Sequence, residues 1–136
     1  MTTTPAVIHA VNALSDGFAA RDVDRCLACY VPDDNISYIG SEHGETAHGR
    51  QAVHRLLTEL FLRPEAYSWD LTSAVVHPAG NLIHLTAEAT GHVTTDGGSR
   101  EDFPYRISGL LQPTGKGWQW RICVGAEPAV PQPTAG

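Results

Sequence analysis

A chain of 136 residues, 42% of them apolar, can bury roughly two-thirds of its unfolded surface in one core, so neither a disulfide framework nor a structural metal is needed to hold it together. A net charge of −6 without any basic run argues against nucleic acid and anionic membrane surfaces as partners. An apolar run of about 18 residues is also missing, which argues against a membrane-spanning helix. The opening MTTTPAVIHA has neither the charged region nor the apolar core of a signal peptide, and the three cysteines, an odd number, read as reduced thiols, so the expected location is the cytoplasm.

Taken in order, Thr4 and Pro5 predict an N-cap and first helical position, and Val7, Val11, Leu14 and Phe18 recur at helical spacing through Ala20. Asp22 caps a second, shorter helix that turns Val23, Cys26, Leu27 and Tyr30 inward and is stopped by Pro32. Asp33, Asp34 and Asn35 form a turn into a short strand at 36–39. A glycine-broken loop follows, and then a third helix carried by Val53, Leu56, Leu57, Leu60 and Phe61, which Pro64 ends. From Tyr67 the period changes to two. Strands are expected from 67 to about the His77-Pro78-Ala79-Gly80-Asn81 turn, over 81–94, over 103–112 and over 118–126, joined by turns at Asp96-Gly97-Gly98 and Pro113 to Gly117. Residues 1–126 form one domain, and 127–136, EPAVPQPTAG, a Pro-rich mobile tail.

Helices followed by long hairpin-connected strands indicate an α+β protein, in the order α-α-β-α-β-β-β-β, with a curved antiparallel sheet wrapped round the N-terminal helices. Such a cone leaves a hollow at its open end. Ala87 and Ala89, on the apolar face of the strand at 81–94, are small residues that make room there, whereas His84, Thr86, Glu88 and Thr90 face outward.

The densest ionisable chemistry lies in the loop, where Glu42, His43, Glu45, His48 and Arg50 fall within nine residues. His43, Glu45 and His48 are of the right types for zinc, iron or manganese, but Gly44 and Gly49 leave their geometry undefined, and solvated loop residues are the favoured account of them. Cys26 and Cys29 match C-x-x-C and His43-Gly44-Glu45 matches H-x-E. In zinc deaminases the H-x-E comes first, so the reversed order here, with the cysteines on an amphipathic helix, points to core packing. Arg106 sits mid-strand, where a charge must be paired or face a cavity. Either it enters the pocket, or it pairs on the outer face with Glu88 or Asp102 while Tyr105, Ile107, Gly109 and Leu111 point inward. Tyr30, Tyr38, Trp69, Trp118 and Trp120 supply aromatic surface, and Glu127 ends the last strand as a rim carboxylate or a solvated one.

The element order, with YVPDDNISYIGSEHGETAHGR before a helix, PYRISGLLQ before a Gly-rich turn and GWQWRICVGAEPA at the end, resembles the SnoaL-like branch of the nuclear transport factor 2-like superfamily over nearly the whole chain. That superfamily includes polyketide cyclases, ketosteroid isomerase, limonene epoxide hydrolase, scytalone dehydratase and the association domain of calcium/calmodulin-dependent kinase II. The resemblance implies the cone fold, a pocket that takes a small apolar oxygenated molecule, a pocket-facing arginine at Arg106 and no cofactor or metal. Tyr38 stands where the isomerases carry their catalytic aspartate, and Val124 and Ala126 stand where many relatives have a histidine and a serine.

The function expected from these residues is cofactor-independent acid/base catalysis, a cyclisation, isomerisation, dehydration or epoxide opening on a polyketide- or terpenoid-like metabolite. His43 or Glu45 would be the base, Tyr38 a hydrogen-bond donor and Arg106 the stabiliser of negative charge, with Tyr30, Glu42, Trp69, Ala87, Ala89 and Trp120 lining the substrate. The alternative is a non-catalytic ligand-binding or association domain. In either case a homodimer through the outer sheet face is expected.

Overall fold

The computed structural model describes residues 3–129. Of the expected tail, residues 130–136 lie outside the described residues. Helix α1 (Thr3–Ala19) buries the stripe Val7, Val11, Leu14 and Phe18 that its spacing demands. Helix α2 (Val23–Leu27) is capped by Asp22, whose carboxylate accepts from the Arg25 backbone N–H at 3.1 Å. It stops well before Pro32, because Trp120 takes over the backbone: its N–H donates to the Cys29 carbonyl at 2.9 Å and its carbonyl accepts from Val31 at 3.0 Å. No helix among the described residues is long and apolar enough to cross a membrane.

Strands β1 (Ser37–Ile39) and β2 (Thr46–His48) form a short hairpin, and helix α3 (Arg50–Leu60) follows. Gly49 at the helix start offers no side-chain cap, and Asp34 substitutes for it by accepting from the Arg50 N–H at 2.9 Å. Four long strands complete the sheet: β3 (Ala66–Ala79), β4 (Leu82–Thr94), β5 (Arg100–Thr114) and β6 (Gly117–Ala126). The order across the sheet is β2-β1-β6-β5-β4-β3.

The α+β architecture is as the pattern implies, with two refinements. Three residues of the expected loop form β2, too short to show alternation in the sequence, and β1 runs parallel to β6, so the sheet is mixed rather than wholly antiparallel. The register shifts at Thr72 of β3, between Leu71 and Ser73, and at Arg121 of β6, opposite Leu110 and Leu111, mark irregularities of the kind that bend strands and sharpen local twist. The concave face packs Leu85, Ile107, Leu111 and Trp120 into one core with the α1 stripe. Ser15 latches α1 to β3, its hydroxyl donating to the Trp69 carbonyl and accepting from the Trp69 N–H, both at 2.9 Å and both buried.

Candidate functional site

Beyond the last turn of α1 the concave face is no longer filled by the helix, and the side chains around that gap line a cavity of about 60 Å³. Phe18, Leu60, Trp69, Phe103 and Tyr105 supply apolar wall. Tyr38 from β1 joins them, with Ser41, Glu42 and Glu45 from the hairpin loop, Tyr67 and Ser68 from β3, and Glu127 just after β6.

The aromatic wall is one connected stack. Phe18 lies with ring centroids 5.7 Å from Tyr38 and 5.2 Å from Trp69; Trp69 stacks on Tyr105 at 6.0 Å, and Phe103 meets Tyr105 edge-on at 5.9 Å. Three of the lining side chains rest on glycines that leave no room for a methyl group: Phe103 lies over Gly91, the Tyr105 hydroxyl over Gly125 and the Glu45 carboxylate over Gly40.

Glu45 is half-buried, and burial raises its carboxyl above the usual carboxylate range. A hydrogen bond from the Glu42 N–H to Glu45 Oε1, 3.1 Å long, opposes that rise, and the Glu42 and Glu127 carboxylates add to it. Glu42 itself accepts from Arg63 Nη1 at 3.2 Å. Burial is also the main reason that the Tyr38 and Tyr105 phenols are pushed up; both keep their protons at neutral pH and can donate. A carboxylate held closer to neutrality beside two protonated phenols can take a proton from one atom of a ligand while a phenol supports the oxygen that gains charge.

Of the expected site residues, the fold brings together Tyr38, Glu42, Glu45 and Trp69. The others go elsewhere. Arg106 points outward, Nε 2.9 Å from Glu88 Oε1, because Ile107 beside it is fully buried and strand alternation then sends the arginine to the convex face. His43 is exposed on the hairpin loop and does not line the cavity. His48 bonds Ser37 Oγ through Nδ1 at 2.7 Å, so His43, Glu45 and His48 diverge instead of forming a ligand set. Tyr30 and Trp120, 1% and 0% exposed, belong to the core, as do Ala87 and Ala89, whose small size serves packing and not a pocket. Val124 and Ala126 alternate with the buried Cys123 and Gly125, and Ala126 opens onto the convex face beside Arg106. Their apolar character therefore leaves the cavity unchanged. The Cys26 thiol is fully buried against Gly17, and that burial pushes it up to about 12, in keeping with a packing role.

The sequence reading missed Phe18, Leu60, Tyr67 and Phe103 as wall residues, and it had Tyr105 only as part of one of two alternative inner faces. One signal was present for Phe103, which stands directly across from Gly91 in the β4–β5 register, an aromatic laid over a bare backbone.

The SnoaL-like domain family matches residues 7–123. None of the curated proteins matches the chain. Among solved structures, a nuclear transport factor 2-like superfamily protein from Salmonella enterica serovar Typhimurium superposes with a TM-score of 0.79 at 13% identity, over 99% of this chain and 97% of that one. ActVI-ORFA from Streptomyces coelicolor gives 0.78 at 14% identity, over 96% and 100% of the two chains. A ketosteroid isomerase-like protein from Erwinia carotovora atroseptica gives 0.68 at 16% identity, over 95% of each. At such identities the likeness is one of fold. With a family match over most of its length and this cone-shaped architecture, the chain belongs to the SnoaL-like domain family and has the nuclear transport factor 2-like fold.

Proposed function

We propose that this protein is an acid/base catalyst that needs no cofactor and moves a proton on a small oxygenated molecule, in a cyclisation, isomerisation, dehydration or epoxide opening. Glu45 is the base, and Tyr38 and Tyr105 are the hydrogen-bond donors. The observation that carries the reading is the setting of Glu45: a half-buried carboxylate, raised by burial, seated on Gly40 in a cavity walled by aromatic rings. The isomerase-like name of one structural relative is in keeping with proton transfer beside an oxygen.

Size constrains the substrate. The enclosed space of about 60 Å³ is well below the roughly 300 to 1,000 Å³ usual for ligand pockets. A polyketide- or terpenoid-like molecule would place only its reacting end inside, with the remainder in the adjoining groove of about 480 Å³. The same small volume favours the second reading, a binding or association domain without turnover.

Elimination of 5-nitrobenzisoxazole tests the base directly, since a desolvated carboxylate removes the ring C–H proton as the N–O bond breaks and releases a coloured phenolate. The wild-type rate should rise with pH through the raised Glu45 value, and Glu45→Gln should lower it by about 10²- to 10⁴-fold. His43→Ala should leave it unchanged. Equal rates for wild type and Glu45→Gln would remove Glu45 as the base and leave the binding reading standing.

A further inference from the structure

The cavity does not end at its mouth. It shares Glu42, Tyr67, Phe103 and Glu127 with the groove beside it, which continues over Glu65 and Glu101. Among the described residues, cavity and groove together are thus lined by five glutamates, Glu42, Glu45, Glu65, Glu101 and Glu127, and by no lysine, arginine or histidine. Two arginines stand nearby: Arg63 is engaged with Glu42 at 3.2 Å, and Arg21 donates to the Arg63 carbonyl at 2.7 Å and lies 4.0 Å from Asp96. Four carboxylates are left without a partner of opposite charge in that lining.

Two further observations concern the wall. Phe103, Tyr105 and Trp69 form the aromatic stack described above, and the rings of such residues attract a cation placed over them. Trp69, 5% exposed, also has an indole N–H with no hydrogen-bond partner among the described residues, an unmet donor in a side chain that lines the cavity. The Glu42 and Glu127 carboxylates act against the charge of Glu45, and the aromatic wall beside them reduces the water that would screen that repulsion. A neutral ligand relieves none of this, and an anion makes it worse.

We infer that the ligand of this site is an organic cation, a small protonated amine whose ammonium group sits at the cavity mouth among Glu45, Glu127 and the rings of Phe103 and Tyr105, with one apolar edge inside the cavity and the rest of its body in the adjoining groove. This rests on the reading of the cavity as the substrate site, and it names the substrate class of that site. It also replaces the expectation of an anion-stabilising arginine, since Arg106 lies on the opposite face of the sheet.

Three probes of one shape and different charge test it: 2-phenylethylamine, 2-phenylethanol and 3-phenylpropionate, titrated into the full chain while backbone and side-chain NMR shifts are followed. The amine should bind about tenfold more tightly than the alcohol, the margin expected of a partly desolvated cation–π and carboxylate contact, and the propionate most weakly. Shifts should centre on Tyr38, Trp69 and Tyr105. The amine's advantage should shrink as salt is added and in both Glu127→Gln and Glu101→Gln, two exposed positions whose melting temperatures serve as fold controls. If the alcohol matches the amine with shifts on the same residues, the amine inference is overturned and the cavity reading survives. If the amine moves only residues outside the cavity and groove, the inference is overturned as well. If none of the three binds at millimolar concentration, both fall.

Discussion

At the scale of single residues, the site is shaped as much by what is missing from its floor as by what lines its walls. Gly125 lies under the Tyr105 hydroxyl, so a methyl group there would occupy the oxygen's place and drive the ring off its stack on Trp69. Gly125→Ala is expected to cost about 1 to 3 kcal/mol in chemical denaturation, the usual range for overpacking. Tyr105→Phe removes the clashing oxygen and keeps the ring, so Gly125→Ala combined with Tyr105→Phe should be more stable than the sum of the single changes predicts. Strict additivity would show that the two residues do not share this space.

Individual strands are tied across the convex face by a charged clamp. His92 on β4 stands between two carboxylates, Nε2 2.7 Å from Asp70 Oδ2 on β3 and Nδ1 2.7 Å from Asp102 Oδ1 on β5, and Arg100 Nε donates to Asp102 at 2.9 Å. Both ring nitrogens face acceptors, which favours the imidazolium: His92 is raised above its ordinary value, chiefly by Asp102. Asp102 is held down to about 2, first by Arg100 and then by His92. The two shifts act on opposite sides of neutrality. The raised histidine contributes stability that is complete below its unfolded value near 6.5 and is lost as pH rises through the folded one, whereas the depressed aspartate contributes above about 4 and is lost as pH falls toward 2. The stability difference between wild type and His92→Gln, read from urea midpoints, should therefore be level between about pH 4 and 6.5 and shrink on either side. A difference that does not vary with pH would mean that the clamp is not ionic.

For the molecule as a whole, the convex sheet face is the surface through which association is expected. No described helix covers it; it carries the Arg106–Glu88 pair, together with Val75 and Ile122, 53% and 38% exposed. Mixed polar and apolar composition of this kind suits an interface between folded copies. Light scattering at micromolar concentration should give twice the monomer mass, and Val75→Asp with Ile122→Asp should halve it. A wild-type monomer at that concentration would rule out the dimer. The charge of −6 acts at the same scale, with the five-glutamate cavity and groove as a local concentration of it.

What the sequence determined by itself was everything governed by local periodicity. The stripe Val7, Val11, Leu14 and Phe18, the cap at Asp22 and the alternation of β4 depend on neighbours within a few residues, so helices, long strands and α+β class were all legible. The glycine-broken loop could be singled out by its density of ionisable residues over 42–50, and Tyr38, Glu42, Glu45 and Trp69 do meet in the cavity. Which face of β5 lines that cavity was not legible. Arg106 and Tyr105 sit on faces of nearly equal apolar content, and the choice between them is made by pairing with β4 and β6, where Ile107 must be buried and Gly125 leaves space only for Tyr105. Likewise His43 and Glu45 are two residues apart, yet the short pairing of β1 with β2 folds one carboxylate over Gly40 and leaves the imidazole in solvent. Residues distant in sequence close the cavity, and their register is a property of the assembled sheet that no single strand encodes.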